Sequence, residues 1–249
     1  MRDHIILATQ GSQGIVALRE LFSLGYKLDD ISVCVCDSKF NQPLLSFLEY
    51  LNCPFSNIES SDKFDEFIMT AQANSLLISV SWKFLISKKA IKHLNFKAIN
   101  FHPGLLPEYK GCFSTPWSII NNEKEVGYTY HFMNEKFDCG NILLRETIKV
   151  KSIDDAFSLN FKIFQKGLSR LGYVIKRSKS DGITQGSEGK YYPNEIPYNG
   201  EIDINWSDEF IERFIRSMNF PPHKPAVLKI DNNEYRISSL KEYKKYRHG

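Results

Sequence analysis

Four short apolar runs punctuate the first hundred residues: HIILAT (4–9), ISVCVC (31–36), SLLISVS (75–81) and KAINFH (97–102). Between them lie stretches with helical spacing: GIVALRELFSLG, closed by Gly25, then QPLLSFLEYL, whose Pro43 suits a helix start, then a helix around 61–73. A strand that is apolar throughout is covered on both faces, and parallel strands need long crossovers, which helices supply. The alternation predicts an α/β fold: a doubly wound, Rossmann-like, mostly parallel sheet with helices on both faces.

From residue 126 the pattern changes. VGYTYHFM and NILLRETIKV read as two strands joined by NEKFDCG, and an amphipathic stretch comes next over 154–177. SKSDGITQGSEG, rich in Ser, Gly and charge, marks a boundary loop. These signals predict a main domain over 1–180 and a small C-terminal region over 181–249. That region contains a helix, SDEFIERFIRSM, and a β-hairpin, AVLKIDNNEYRIS, turning at Asn232–Asn233. The hairpin is too small to hold a core alone, so Val227, Ile230 and Ile237 are expected to pack on the main domain or on a second copy.

No apolar run approaches the roughly 20 residues needed to span a bilayer. The opening, MRDHIILATQGSQG, reads as a first strand running into turn residues and not as a signal peptide. A net charge of +3 carries no footprint of a nucleic-acid binder. Five cysteines lack framework spacing, and Cys34 and Cys36 share one face of a strand, so they read as reduced core thiols. The expectation is a cytoplasmic protein with no metal, no nucleic-acid partner and no membrane.

Polar chemistry concentrates in NFHPGLLPEYKG (100–111). Asn100 and His102, two apart on a strand, point to the same side. They lie at the C-terminal end of that strand, where open α/β sheets bind ligands. Pro103, Gly104, Pro107 and Gly111 then hold the chain in a rigid bend. A carboxylate is available from Asp138, on the turn KFDCGN. Each residue also has an ordinary reading: a locally satisfied strand-end histidine, turn chemistry for the aspartate, a cap for the asparagine. TQGSQG (9–14) offers main-chain amides to a phosphate at a helix start, although GxxG alone is a weak signal.

Asn-x-His (100–102), Leu-Leu-Pro-x-Tyr-x-Gly (105–111) and Asp-x-Gly (138–140) together resemble the formyltransferases that use 10-formyltetrahydrofolate. The likeness is strong over about 75–150 and loose over the N-terminal sheet; Pro103-Gly104 stands where many members carry a small residue and Ser. The resemblance implies 10-formyltetrahydrofolate as co-substrate and Asn100, His102 and Asp138 as catalytic residues. In formyl transfer a neutral amine attacks the formyl carbon through a tetrahedral intermediate. Asn100 would hold the developing oxyanion, and His102 would stabilise it or help move the proton. Asp138 would orient His102 and, through water, accept the proton that the amine loses. The family's pterin cleft corresponds to SWKFLISKKAI (81–91). Trp82, Lys83, Phe84, Leu85 and Ile86 would form one wall, and the 134–138 backbone with Asn134 and Phe137 the other. The ordinary reading of 81–91 is a helix start packed on the sheet.

Three classes within this family differ beyond the main domain. Glycinamide ribonucleotide transformylases end there, whereas this chain continues. Methionyl-tRNA formyltransferases add a strongly basic barrel to hold a polyanion; residues 176–249 carry 13 Lys/Arg against 11 Asp/Glu, a net of +2. The sugar N-formyltransferases carry a short extension, which IDINWSDEFIERFIRSMNFPPHKPA resembles. That likeness implies transfer to a nucleotide-diphosphate-linked amino-dideoxy sugar, such as dTDP-4-amino-4,6-dideoxyglucose, for surface polysaccharide, by a homodimer. Tyr191, Tyr192 and Tyr198 are then candidates to stack on the base, and Arg216, His223 and Lys224 to meet the pyrophosphate. Tyr109 and Lys110 in the bend are further substrate candidates. For each tyrosine the ordinary reading is hydrophobic packing. A reading from another class is a folate- or nucleotide-sugar-binding protein without turnover; the intact Asn100, His102 and Asp138 count against it.

Overall fold

The structure is a computed structural model that describes residues 3–248 apart from 39, 187 and 232. Five parallel strands open it: β1 (Ile5–Thr9), β2 (Ile31–Cys36), β3 (Phe55–Ile58), β4 (Leu76–Val80) and β5 (Ala98–His102). Helices α1 (Gly11–Ser23), α2 (Gln42–Tyr50), α3 (Ser61–Thr70) and α4 (Lys88–His93) lie between them in sequence. A short β6 (Tyr109–Gly111) and α5 (Ser114–Ile120) precede β7 (Glu125–Phe132) and β8 (Ile142–Lys149). The seven-stranded sheet has the order β3-β2-β1-β4-β5-β7-β8, with β7 antiparallel to β5. β1 and β4 are buried along their whole length, as an apolar run in a doubly covered sheet must be. β3 escapes the apolar pattern for a physical reason: it is an edge strand, and only Ile58 in it is buried.

The amphipathic stretch over 154–177 forms two helices, α6 (Ala156–Leu168) and α7 (Leu171–Arg177). The break falls at Ser169, whose hydroxyl donates to the Lys166 carbonyl and competes with the helical ladder. The chain ends with β9 (Lys190–Tyr192), α8 (Asp208–Met218), β10 (Ala226–Ile230), β11 (Asn233–Ile237) and α9 (Leu240–His248). Among the described residues no helix is long and apolar enough to cross a membrane. Burial pushes the Cys34 and Cys36 thiols up, which suits inert core cysteines. The loop between β1 and α1 has its Gly11 N–H already donated to Asn41 Oδ1 at 2.7 Å, so that amide is not held out for a phosphate.

Contacts gather the chain into two units that interleave along the sequence. The first comprises Met1–His102, Tyr128–Glu146 and Phe164–Glu188; the second comprises Pro103–Gly127, Thr147–Ile163 and Gly189–Gly249. The expected boundary near 180 lies close to the last of these crossings, and two earlier segments also change unit. In the first unit Ile6, Ala8, Leu77 and Ala98 of the sheet pack with Phe64 and Ile68 of α3 and Ile91 of α4.

In the second unit β6 pairs in parallel with β9. Gly111, at φ +87°, lies so close to this partner that a Cβ would sit 2.1 Å from the Tyr192 carbonyl oxygen, so only glycine fits. The β10–β11 hairpin buries Ala226, Leu228 and Ile237 against Phe214 and Ile211 of α8 and Tyr243 of α9. Val227, expected on the apolar side, is off it. Strand side chains alternate, and Val227 pairs with Arg236 while Leu228 takes the inner face. Of the expected turn, Asn232 lies outside the described residues. The α9 helix, LKEYKKYRH, has little apolar periodicity for a sequence reading to find.

Candidate active site

The register of β5 against β7 places Asn100 opposite His131 and His102 opposite Thr129. Directly paired side chains across antiparallel strands share a face, so His131 joins Asn100 and His102 there. Asp138 comes from the turn between β7 and β8, in a left-handed conformation at φ +53°. Its Oδ1 lies 3.5 Å from His102 Nδ1 and 3.4 Å from His131 Nε2. His102, His131 and Asp138 are all buried, and in such a site polar interactions are stronger than in water.

The orientation of Asn100 is set by its neighbours. Ser79 Oγ, on β4, donates to Asn100 Oδ1 at 2.8 Å. His131 Nδ1 lies 2.8 Å from the Phe132 carbonyl, which only accepts, so Nδ1 carries a hydrogen and the neutral ring leaves Nε2 as acceptor. Asn100 Nδ2, 3.2 Å away, donates to that Nε2. One N–H of the Asn100 amide is thereby engaged, and the other has no partner among the described residues. The group offers an amide donor, an imidazole and a carboxylate at one place. His131 is the member that sequence reasoning missed: its signal, a polar residue within the buried run VGYTYHF, acquires meaning only from the register.

Beside these residues a cleft is walled by Trp82, Phe84, Leu85, Met133 and Phe137, and Asn100, His131 and Asp138 line it too. Trp82 packs on Phe64 and edge-on to Phe84, with ring centroids 4.8 and 5.5 Å apart. Its Nε1 is buried without a hydrogen-bond partner among the described residues, the kind of unsatisfied donor that calls for an explanation. Asn134 also lines the cleft, its Oδ1 accepting the Lys136 N–H.

Two residues expected on this wall are elsewhere. Ile86 is buried in the core with Leu77 and Ile91. Lys83 turns its ammonium to the Asp37 carbonyl at 2.9 Å, over the Phe84 ring. The reason is local: the segment before Ser87 has no regular secondary structure, and the helix begins only at Lys88, capped by the Ser87 hydroxyl.

The other expected contacts belong to the second unit, and several are committed to its interior. Tyr192 is buried and stacked on Tyr109 at 5.4 Å and 7°, with Trp117 at 5.1 Å, so its ring is core and not a platform for a base. Burial pushes the Tyr109 phenol up, and Tyr109 Oη donates to Glu123 at 2.7 Å. Tyr198 is half exposed but is ringed by Trp117, Trp206, Phe210 and Phe214. Arg216 is held by Glu212 through two bonds of 2.6 and 3.0 Å and donates to the Asp154 carbonyl, so its charge is already met. His223 stacks on Phe220 and meets Phe113 edge-on. Lys110 is half-buried, whereas Tyr191 and Lys224 are exposed.

Residues 38–174, more than half of the chain, match the formyl transferase family. GDP-perosamine N-formyltransferase of Brucella melitensis is 38% identical over 249 residues, spanning 98% of this chain and 96% of that one. Among solved structures, a 4-N formyltransferase from Francisella tularensis superposes with a TM-score of 0.75 at 24% identity, covering 94% of this chain and 96% of that one. An N-formyltransferase from Helicobacter canadensis, solved with folinic acid and dTDP-3-aminofucose, superposes with a TM-score of 0.74 at 20% identity, covering 92% and 85%. These two structures share the fold. With a family match over half its length and a full-length relative, the chain belongs to the formyl transferase family.

Proposed function

We propose that this protein transfers the formyl group of 10-formyltetrahydrofolate to the amine of a nucleotide-diphosphate-linked amino sugar. The observation that carries the reading is the cluster of Asn100, His102, His131 and Asp138 at the edge of an aromatic-walled cleft. The full-length likeness to an enzyme named for GDP-perosamine supports a nucleotide-linked amino sugar as acceptor. The flat rings and unpaired Trp82 Nε1 of the cleft suit a pterin, which needs apolar walls and a few polar contacts.

In the reaction the amine nitrogen bonds to the formyl carbon, and the carbonyl π pair moves to oxygen. The second Asn100 N–H and a His102 N–H stabilise that oxyanion. The proton lost by the amine passes to Asp138, directly or through one water. Collapse re-forms the carbonyl and breaks the carbon–N10 bond; N10 takes up a proton and tetrahydrofolate departs. Asp138 Oδ1 lies 3.5 Å from His102 Nδ1 and 3.4 Å from His131 Nε2, so both rings border the carboxylate that takes the proton.

Of the expected nucleotide contacts, Tyr191 and Lys224 are the two exposed candidates that remain. The reading includes a cytoplasmic homodimer that serves surface-polysaccharide synthesis; exposed Ile153, Phe157 and Phe161 leave apolar area for a second copy to cover. The deciding experiment monitors tetrahydrofolate release spectrophotometrically with a panel of GDP- and dTDP-linked amino sugars, glycinamide ribonucleotide and initiator methionyl-tRNA. Turnover is expected with an amino sugar. Turnover with the tRNA or ribonucleotide alone, or binding of nucleotide sugars without any turnover, overturns the proposal.

A further inference from the structure

We infer that Gln185 is a positioning residue for the reaction, holding the Asp138 turn through its main chain. The inference rests on the role proposed for Asp138 in catalysis. Gln185 lies in the Ser/Gly-rich loop before β9, 47 residues beyond Asp138. Its Nε2 donates to the Asp138 carbonyl at 3.0 Å and to the Gly140 carbonyl at 2.6 Å. Both N–H groups of one amide therefore brace the two ends of the Asp138-Cys139-Gly140 turn.

The amide orientation is unambiguous, because a flipped Gln185 would set its oxygen against two carbonyl oxygens. Holding it has a consequence: Gln185 Oε1 is buried with no partner among the described residues. A loop that served only as a linker would keep that oxygen in water. The loop is carried to the turn by a reciprocal bridge, Ile142 N to Ile183 O at 2.7 Å and Ile183 N to Ile142 O at 2.8 Å. Asn141 Nδ2 adds a bond to the Asp181 carbonyl.

The opposite side of the turn rests on the end of β7. A Cβ on Gly140 would lie 1.8 Å from the Phe132 carbonyl oxygen, so the backbones touch there. That same carbonyl accepts the His131 Nδ1 hydrogen. The turn is thus clamped between Phe132 and Gln185, with Asp138 in a left-handed conformation that non-glycine residues seldom adopt. Without Gln185 two turn carbonyls lose a donor, and the clamp no longer opposes relaxation of Asp138 away from His102 and His131.

The test replaces Gln185 by Met, which keeps the length and removes both donors, and by Lys, which restores a donor to the carbonyls. In Q185M, kcat is expected to fall by about 10–100-fold, the scale of a misplacement near 1 Å, while KM for the folate stays close to wild type. Q185K should recover part of that loss. A second readout needs no turnover: the NMR chemical shifts of the His102 and His131 ring protons at one fixed pH, with D138N marking complete loss of the carboxylate. Q185M should move both sets of signals toward their D138N positions, because the carboxylate has moved away from the rings. If Q185M does not fold, the same spectra of Q185K decide, and there the signals should stay at their wild-type positions. Unchanged kcat in Q185M, or a reduced kcat with wild-type ring signals, overturns the inference. If no amine is formylated by the wild-type protein, the functional reading fails, and the ring signals still show whether Gln185 sets the place of Asp138.

Discussion

Two asparagines in this molecule make nearly the same contacts and serve opposite ends. Asn121, in the second unit, donates one N–H to Tyr109 Oη at 3.1 Å and the other to Tyr192 Oη at 3.0 Å. Tyr109 passes its own hydrogen to Glu123, and the two rings stack. Every donor of that amide is met from within the unit. Asn100, in the first unit, has its oxygen held by Ser79 and one N–H held by His131, and its other N–H has no partner among the described residues. A polar network that closes on itself stabilises; one that fixes an amide and leaves one hydrogen over is suited to a reacting oxygen.

The largest test of this contrast exchanges each asparagine for alanine. N100A should lower kcat by roughly 10²–10³, the usual effect of losing one oxyanion donor, with little loss of thermal stability. N121A should leave kcat near wild type and destabilise the fold by about 1–3 kcal/mol, because two buried phenols lose their donor. Comparable losses of kcat in both variants would break the distinction.

A smaller effect is expected one bond away. In S79A the Asn100 amide keeps its place but loses the hydroxyl that fixes its oxygen end, and kcat should fall by about tenfold, the equivalent of one neutral hydrogen bond. Folate affinity measured by calorimetry should be unaltered. Wild-type turnover in S79A would show that His131 alone orients the amide.

The smallest effect sharpens the same contrast with a carboxylate. Buried Asp154 is met by the Lys151 N–H at 2.9 Å, by the Ser158 hydroxyl at 3.2 Å and by the Lys162 ammonium. Burial pushes its carboxyl up, but the bonds from Lys162, Lys151 and Ser158 outweigh that and hold it below its ordinary value. A depressed carboxyl stabilises the fold at pH above the unfolded value, about 3.9, and loses that contribution as pH falls through the folded value. D154N should therefore cost about 1–2 kcal/mol at pH 7, at the low end because Lys162 is partly exposed and screened. In urea titrations the gap from wild type should narrow as pH falls below about 4. A gap of constant size from pH 7 down to acid would mean that the charge of Asp154 is not what stabilises.

Much of the first unit was legible from local pattern. Apolar runs separated by helical spacing place β1, β2, β4 and β5, since a strand covered on both faces has no polar positions to disguise it. β3 was not, because an edge strand is partly solvated and loses that signature. Asn100 and His102 could be set on one face from a two-residue period, and Asp138 on the adjoining turn from Asp-x-Gly. His131 could not, because a histidine within a buried strand is silent until a partner strand stands beside it.

The C-terminal candidates mark the limit from the other direction. Tyr192, Arg216 and His223 have the side chains that a nucleotide would ask for, and the structure closes each on a neighbour from within its unit. Residue type states what a group can bond to, and only the fold states what it already bonds to. Val227 erred by parity alone: along a strand one step of the backbone exchanges inside for outside. Ile86 shares its parity with Trp82 and Phe84 of the cleft wall, and only the packing of that irregular segment sends it to the core. By itself, then, the sequence determined the alternation of strands and helices, the parallel sheet and the motif at its carboxyl end, because each is written in short-range periodicity and spacing. The tertiary structure decided which polar atoms remain unpaired, that His131 sits among the catalytic candidates, and that Gln185 reaches the Asp138 turn. Those depend on register and on contacts between residues dozens of positions apart, which no local pattern encodes.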